Sequence, residues 1–208
     1  METAARQQEL LLVIDLQNAY APGGVWACEG MQETCMRLRE LLDSGWAERT
    51  GTQVVLTRFL ASETATGVWA EYNRVNAEVN ADANACALHP LMNAAAERYP
   101  VYDKSVYSAL SIPALAELAK GARRVAVAGV VAECCVLSTV MALIDAGCSV
   151  VWLTDAIAGE TAEKKAAVEN VLQGLEYLHL QRMTLRAYAA SVSERSQAEA
   201  AQQRCDVS

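Results

Sequence analysis

Three side-chain types at recurring positions in this 208-residue chain could do chemistry together. Asp15 ends the apolar run Leu10–Ile14, Lys104 follows the segment 99–103, and Cys134 and Cys135 follow the run 124–129. A carboxylate, an ammonium and a thiol form a coherent set for nucleophilic catalysis. A free thiol has a pKa near 8.5, so only about 3% is thiolate at neutral pH. A helix N-terminus and a nearby ammonium both favour the anion, and a fall of about two units makes it the majority species. A carboxylate can take the thiol proton and pass it to a leaving amine. A strand-to-helix turn offers free backbone N–H groups to an oxyanion. Taken singly, each residue has a plainer reading: Asp15 as a turn residue, Lys104 as a solvated lysine, and Cys134 or Cys135 as buried filler.

The elements that must position these groups follow from the apolar pattern. Leu10–Ile14 is a continuous apolar run, as expected of a strand buried on both faces. Further strands are predicted over 53–57, 99–103, 124–129, 149–153 and 178–185. Helical spacing appears over 31–42, 91–98, 113–120, 133–146 and 161–175. Residues 58–84 read as an active-site insertion with some helix. The alternation predicts an α/β fold, a Rossmann-like three-layer α/β/α arrangement with a mainly parallel central sheet of about six strands. Ligands of such sheets bind at the carboxyl ends of the strands, where the three groups lie.

The length fits one domain, expected over 1–190, with a polar tail over 191–208 that is helical or disordered. Seventeen basic against 25 acidic residues give a net charge of −8, which argues against nucleic-acid and anionic membrane partners and leaves a small molecule. No apolar stretch approaches the roughly 20 residues of a membrane helix, and residues 1–9 lack the layout of a signal peptide. The seven cysteines are therefore expected to be reduced, in a cytoplasmic setting.

Three blocks in order resemble the isochorismatase-like cysteine hydrolase superfamily. They are Leu11-Leu-Val-Ile-Asp-Leu-Gln17, Asp103-Lys-Ser-Val-Tyr-Ser-Ala109, and Val127-Ala-Gly-Val-Val-Ala-Glu-Cys-Cys-Val136 with Val150-Val-Trp-Leu-Thr-Asp-Ala156 downstream. They are similar to that family's Asp-x-Gln strand end, its Lys-x-x-x-Ser segment, and its Gly-Val-x-x-x-x-Cys-Val block. The resemblance spans residue 10 to about residue 185. It implies Asp15 as the acid/base, Lys104 as the stabiliser of thiolate and transition state, and Cys135 as the nucleophile, since Val136 follows it. It also implies a cis peptide at Val130–Val131, aiming the N–H groups of Val131 and Cys135 at the oxyanion.

The departures matter equally. The metal motif Asp-x-His-x-x-His of nicotinamidases is replaced here by Thr57-Arg-Phe-Leu60, and the two histidines, His89 and His179, are far apart. No metal and no cofactor are therefore expected. Cys135 argues against cleavage of isochorismate, because the members that perform it lack the cysteine. Glu133 stands where the family often has Asp, and Gly159 where a Ser is frequent.

The expected activity is hydrolysis of a C–N bond in a small amide or carbamoyl compound through a Cys135 thioester. A non-catalytic ligand-binding or regulatory relative and a redox role for the Cys134–Cys135 pair are the alternatives. Candidate pocket residues are Gln17, as an orienter of Asp15, Arg58, as a carboxylate binder or a surface salt bridge, and Trp69, Tyr72 and Tyr107, as pocket walls or packing. Lys104 and Arg58 are expected to draw in an anionic substrate. The high apolar fraction and the resemblance imply a homodimer or homotetramer.

Overall fold

The computed structural model describes residues 8–206. Six strands, β1 (Leu10–Ile14), β2 (Gln53–Phe59), β3 (Val101–Lys104), β4 (Val125–Gly129), β5 (Val150–Ile157) and β6 (Leu180–Met183), form one sheet in the order β3-β2-β1-β4-β5-β6. Every pairing is parallel. The helices are α1 (Met31–Asp43), α2 (Trp46–Thr50), α3 (Val68–Val75), α4 (Ala77–Ala81), α5 (Ala83–Cys86), α6 (Asn93–Arg98), α7 (Pro113–Gly121), α8 (Leu137–Asp145), α9 (Ala162–Gln173) and α10 (Leu185–Asp206).

Alternation along the strands sorts the core into two layers. Leu11, Val13, Val54, Leu56, Ala126 and Ala128 face a cluster completed by Leu38, Leu42, Trp46, Ala95 and Tyr188, from α1, α2, α6 and α10. Leu10, Leu12, Val55, Val125, Val127 and Trp152 face the other, completed by Leu115, Val140, Leu143, Val168 and Leu172, from α7, α8 and α9. Both faces of the sheet are covered, so β1 and β4 are buried throughout and read as unbroken apolar runs. This is the expected three-layer α/β/α fold.

The strand order reverses direction between β1 and β4, and the crevice of an open α/β sheet lies at that switch point. Ile14 and Gly129 are register partners there. Gly129 has a φ of +115°, and a Cβ on it would lie 2.0 Å from the Ile14 carbonyl oxygen, so no other residue lets the two strand ends meet.

One expectation changes. The helix expected from residue 133 begins as a single π-helical turn, Ala132–Val136, before α8. Residues 58–84 hold the end of β2, all of α3 and α4, and the start of α5. The boundary expected at 190 falls inside α10, a helix running from Leu185 to Asp206. Among the described residues no helix is long and apolar enough to cross a membrane.

Helix α10 is fastened to the amino end of the sheet through Glu9, which is 6% exposed. Glu9 accepts hydrogen bonds from Arg124 Nε (3.1 Å), Arg195 Nη1 (3.0 Å) and the Tyr188 hydroxyl (3.4 Å). Removing one partner of a buried ion pair strands the other charge, at about 3–5 kcal/mol. Glu9→Ala is therefore expected to lower the urea midpoint by the equivalent of about 3 kcal/mol. It should expose α10 amides to hydrogen exchange before those of α1. Unchanged protection of α10 would show that its apolar face alone holds it.

Candidate active site

Asp15 sits directly after β1 in a left-handed conformation (φ 51°), Lys104 closes β3, and Cys135 lies in the π-helical turn after β4. Strand β2 separates β3 from β1, so Lys104 must reach across its end. It does so over Phe59, its register partner, with Nζ 5.3 Å from the ring centroid. Lys104 Nζ then lies 2.6 Å from Asp15 Oδ2, 3.4 Å from Cys135 Sγ and 3.1 Å from the Val106 carbonyl oxygen. The Val106 carbonyl and Cys135 Sγ accept hydrogen bonds from the ammonium, and the Asp15 contact is an ion pair. Asp15 and Lys104 side chains are both 0% exposed. Thr57 Oγ1 donates to Asp15 Oδ1 at 2.7 Å, while Asp15 Oδ2 makes no hydrogen bond and is met only by the ammonium charge. Thr139 Oγ1 donates to the Cys135 carbonyl (2.7 Å) and accepts from the Ala109 amide (3.0 Å), tying the turn to the segment after Lys104.

The Lys104 ammonium favours the thiolate as expected, but other causes outweigh it. Burial, then the Asp15 carboxylate, push the Cys135 thiol well above its ordinary pKa, and Lys104 only partly opposes them. That balance favours the protonated thiol over the thiolate. The lone pairs of Asp15 Oδ2 are what a departing thiol proton needs. Burial works against the Lys104 charge, but Asp15 and Cys135 outweigh it, so the ammonium is held upward of its ordinary value. The lysine stays charged and can compensate a thiolate once the proton has moved.

The pocket candidates divide. Gln17 is corrected: its amide donates to the Phe59 carbonyl (3.0 Å) and the Cys86 carbonyl (2.8 Å) and accepts from the Phe59 amide (2.7 Å). Both donors are spent on backbone, so Gln17 clamps the insertion to β2 and does not touch the Asp15 carboxylate. Arg58 is also corrected: its guanidinium forks onto Asp103 at 2.7 and 2.9 Å. The two are register partners on β2 and β3, and the pair is the surface salt bridge. Trp69 packs among Phe59, Tyr72 and Tyr107, with ring centroids 6.2, 5.4 and 4.9 Å away. Tyr72 and Tyr107 reach the cavity wall, Tyr107 from a bend and not from a helix. The Val130–Val131 peptide is cis, and the Val131 amide N–H meets no acceptor among the described residues.

A cavity of about 440 Å³ opens beside Cys135. Its wall also includes Tyr20, Trp26 and Cys28 from the loop after β1, and Glu133, Cys134 and Glu160. The sequence reading assigned no pocket role to Tyr20, Trp26 or Glu160. The aromatic pair in the loop after β1 was the available signal, and their rings do meet at 5.5 Å. Glu133 and Gly159, two separate departures in sequence, are one feature in space. Glu133 Oε1 accepts from the Glu160 amide at 3.2 Å, and a Cβ on Gly159 would lie 2.8 Å from Glu133 Oε2. The longer acid occupies the room that a side chain at 159 would need.

None of the lining residues is a lysine or arginine. The expected attraction of an anionic substrate by Lys104 and Arg58 is thereby corrected, because each is spent on its own carboxylate. The metal site of the nicotinamidase motif has no donors here. Thr57 is bonded to Asp15, Arg58 to Asp103, and His89 Nδ1 accepts from the Leu91 amide (3.2 Å). Among the described residues no group of three His, Cys, Asp or Glu side chains is placed to hold a metal ion.

Comparison with known proteins places this geometry. Residues 9–179 match the family model described as the Isochorismatase domain. A solved cysteine hydrolase from Pseudomonas syringae pv. phaseolicola superposes with a TM-score of 0.74 at 17% identity, over 95% of this chain and 96% of that one. An isochorismatase family protein from Desulfovibrio vulgaris gives 0.72 at 19% identity, over 90% and 99%. A zinc-complexed pyrazinamidase from Pyrococcus horikoshii gives 0.67 at 18% identity, over 86% and 100%. At such identities the structural likeness speaks to the fold. No curated protein matches the chain by sequence at a significant level.

Proposed function

The chain belongs to the isochorismatase family, and we propose that within it the protein is a cysteine amidohydrolase that cleaves a C–N bond of a small amide or carbamoyl compound. The observation that carries this reading is the buried Lys104 ammonium, 2.6 Å from Asp15 Oδ2 and 3.4 Å from Cys135 Sγ at the carboxyl ends of the strands.

The reaction then runs as follows. The Cys135 proton passes to Asp15, and the sulfur attacks the substrate carbonyl while Lys104 compensates the charge on sulfur. The oxyanion takes the N–H groups of Val131 and Cys135. Asp15 returns the proton to the nitrogen, the C–N bond breaks, and ammonia or an amine leaves a Cys135 thioester. A water gives a proton to Asp15 as its oxygen attacks the thioester, and the sulfur regains that proton as the acid departs. The net change is amide plus water to acid plus amine, with no cofactor in any step.

The test is an ammonia-release screen over small amides and ureido compounds, each reaction quenched in acid for intact mass. The expected result is turnover with at least one compound, with its acyl mass on the peptide holding Cys135. Turnover with no adduct at Cys135 under single-turnover conditions, or with the adduct elsewhere, would overturn the reading.

A further inference from the structure

The wall of the cavity carries charge of one sign. Glu133 and Glu160 line it, no lysine or arginine does, and Glu133 forms no ion pair among the described residues. Glu160 pairs with Lys164 on the exposed side of the wall. Tyr20, Trp26, Tyr72 and Tyr107 supply the rest of the large side chains. Tyr72 is pushed up to about 12, mainly by burial, so its hydroxyl stays neutral and adds no competing charge near neutral pH. The Lys104 ammonium, ion-paired with Asp15 and hydrogen-bonded to Cys135 and the Val106 carbonyl, is not part of the wall.

Aromatic rings together with carboxylates attract cations, and here Glu133 is the carboxylate without an ion pair among the described residues while Lys164 offsets part of the Glu160 charge. A cation over an aromatic face gains most where water is excluded, and a carboxylate beside it adds Coulomb attraction that falls with salt. An anionic substrate group would meet both carboxylates, with Lys164, paired to Glu160 outside the lining, as the counter-charge beside them.

We propose that this cavity selects a substrate carrying a cationic nitrogen, an ammonium or amidinium group, in addition to the amide that Cys135 attacks. The cation sits among Tyr20, Trp26, Tyr72 and Tyr107 with Glu133 and Glu160 as its counter-charges. The proposal rests on the amidohydrolase reading for which bond is cut, but the preference for a cation is a property of the cavity and can be read without turnover.

The test uses the wild-type protein and three probes of matched shape that hold no hydrolysable bond: aminobutanol, pentanol and γ-hydroxybutyrate. Titration calorimetry at low salt is expected to rank them cation, neutral, anion, with the cation bound on the order of tenfold more tightly than the anion. The preference should shrink at high salt and in the Glu160→Gln variant. The parallel amides, γ-aminobutyramide, valeramide and succinamate, should follow the same order in kcat/KM. Equal or reversed binding, no binding by any probe, or a preference that Glu160→Gln leaves untouched would overturn the proposal. Cation-selective binding with no ammonia released from any amide would uphold it and count against the amidohydrolase reading instead.

Discussion

Replacing Cys135 by alanine is expected to lower ammonia release by a factor on the order of 10⁴ or more and to abolish the acyl adduct seen by mass. The size of the effect follows from the geometry. Cys135 Sγ is the sulfur that Lys104 Nζ reaches at 3.4 Å, and Asp15, whose charge raises its pKa, is the base beside it. Removing that sulfur takes away the bond-forming atom, not one contributor among several. Cys134 is the natural control, since it borders the same cavity one residue away. Burial and Glu133 raise its pKa as well, but no hydrogen bond joins it to Lys104 or Asp15. Cys134→Ala should therefore keep turnover within a few-fold. A Cys135→Ala protein with wild-type rates, or a Cys134→Ala protein without activity, would assign the chemistry to the wrong sulfur. Because the Ala side chain is smaller in a site that is 2% exposed, the variant's far-UV circular dichroism should be recorded beside its rate.

How much of this was legible in the sequence depended on how local each cause was. Strands β1 and β4 announced themselves because both faces of a central parallel strand are buried, so every residue is apolar until the strand ends. Asp15 was legible for the complementary reason, as the first polar residue past such a run, whereas Lys104 follows Asp103, and Cys135 follows Glu133 and Cys134, at ends that the resemblance picked out. The partners of Gln17 and Arg58 were not, because register decides them. Arg58 meets Asp103 across 45 positions only because β2 lies beside β3 in one alignment. The π-helical turn was hidden because Ala132-Glu-Cys-Cys-Val136 continues without a break into the apolar face of α8. The insertion was opaque because its helices are eight, five and four residues long, too short to show a period. The upward balance on the thiol pKa was hidden for a related reason. Sequence puts an ammonium near the sulfur, but it does not show that the site is closed to water and that the carboxylate is equally near.

That last point yields the sharpest test of how the three groups are coupled. Alkylation of Cys135, followed peptide by peptide against pH, should respond in opposite directions to the two flanking substitutions. Burial and the Asp15 charge raise the thiol pKa, and Lys104 lowers it. Asp15→Asn removes an upward cause and leaves the ammonium, so the alkylation profile should move to lower pH. Lys104→Met removes the downward cause and leaves the carboxylate, so it should move to higher pH. Both variants should nevertheless lose most turnover. Asp15→Asn gains thiolate but has no group to protonate the leaving nitrogen, which separates the base from the charge partner in a way that rates alone would not. Stability should register the same coupling. With both side chains 0% exposed, each single variant strands one buried charge and should lower the urea midpoint by about 3–5 kcal/mol. The double variant Asp15→Asn/Lys104→Met strands neither, so its loss should be well short of the sum of the two. Shifts of the same sign, or additive losses, would mean that Asp15 and Lys104 act on the sulfur independently. The ammonium would then be a neighbour of the thiol and not the link between it and its base.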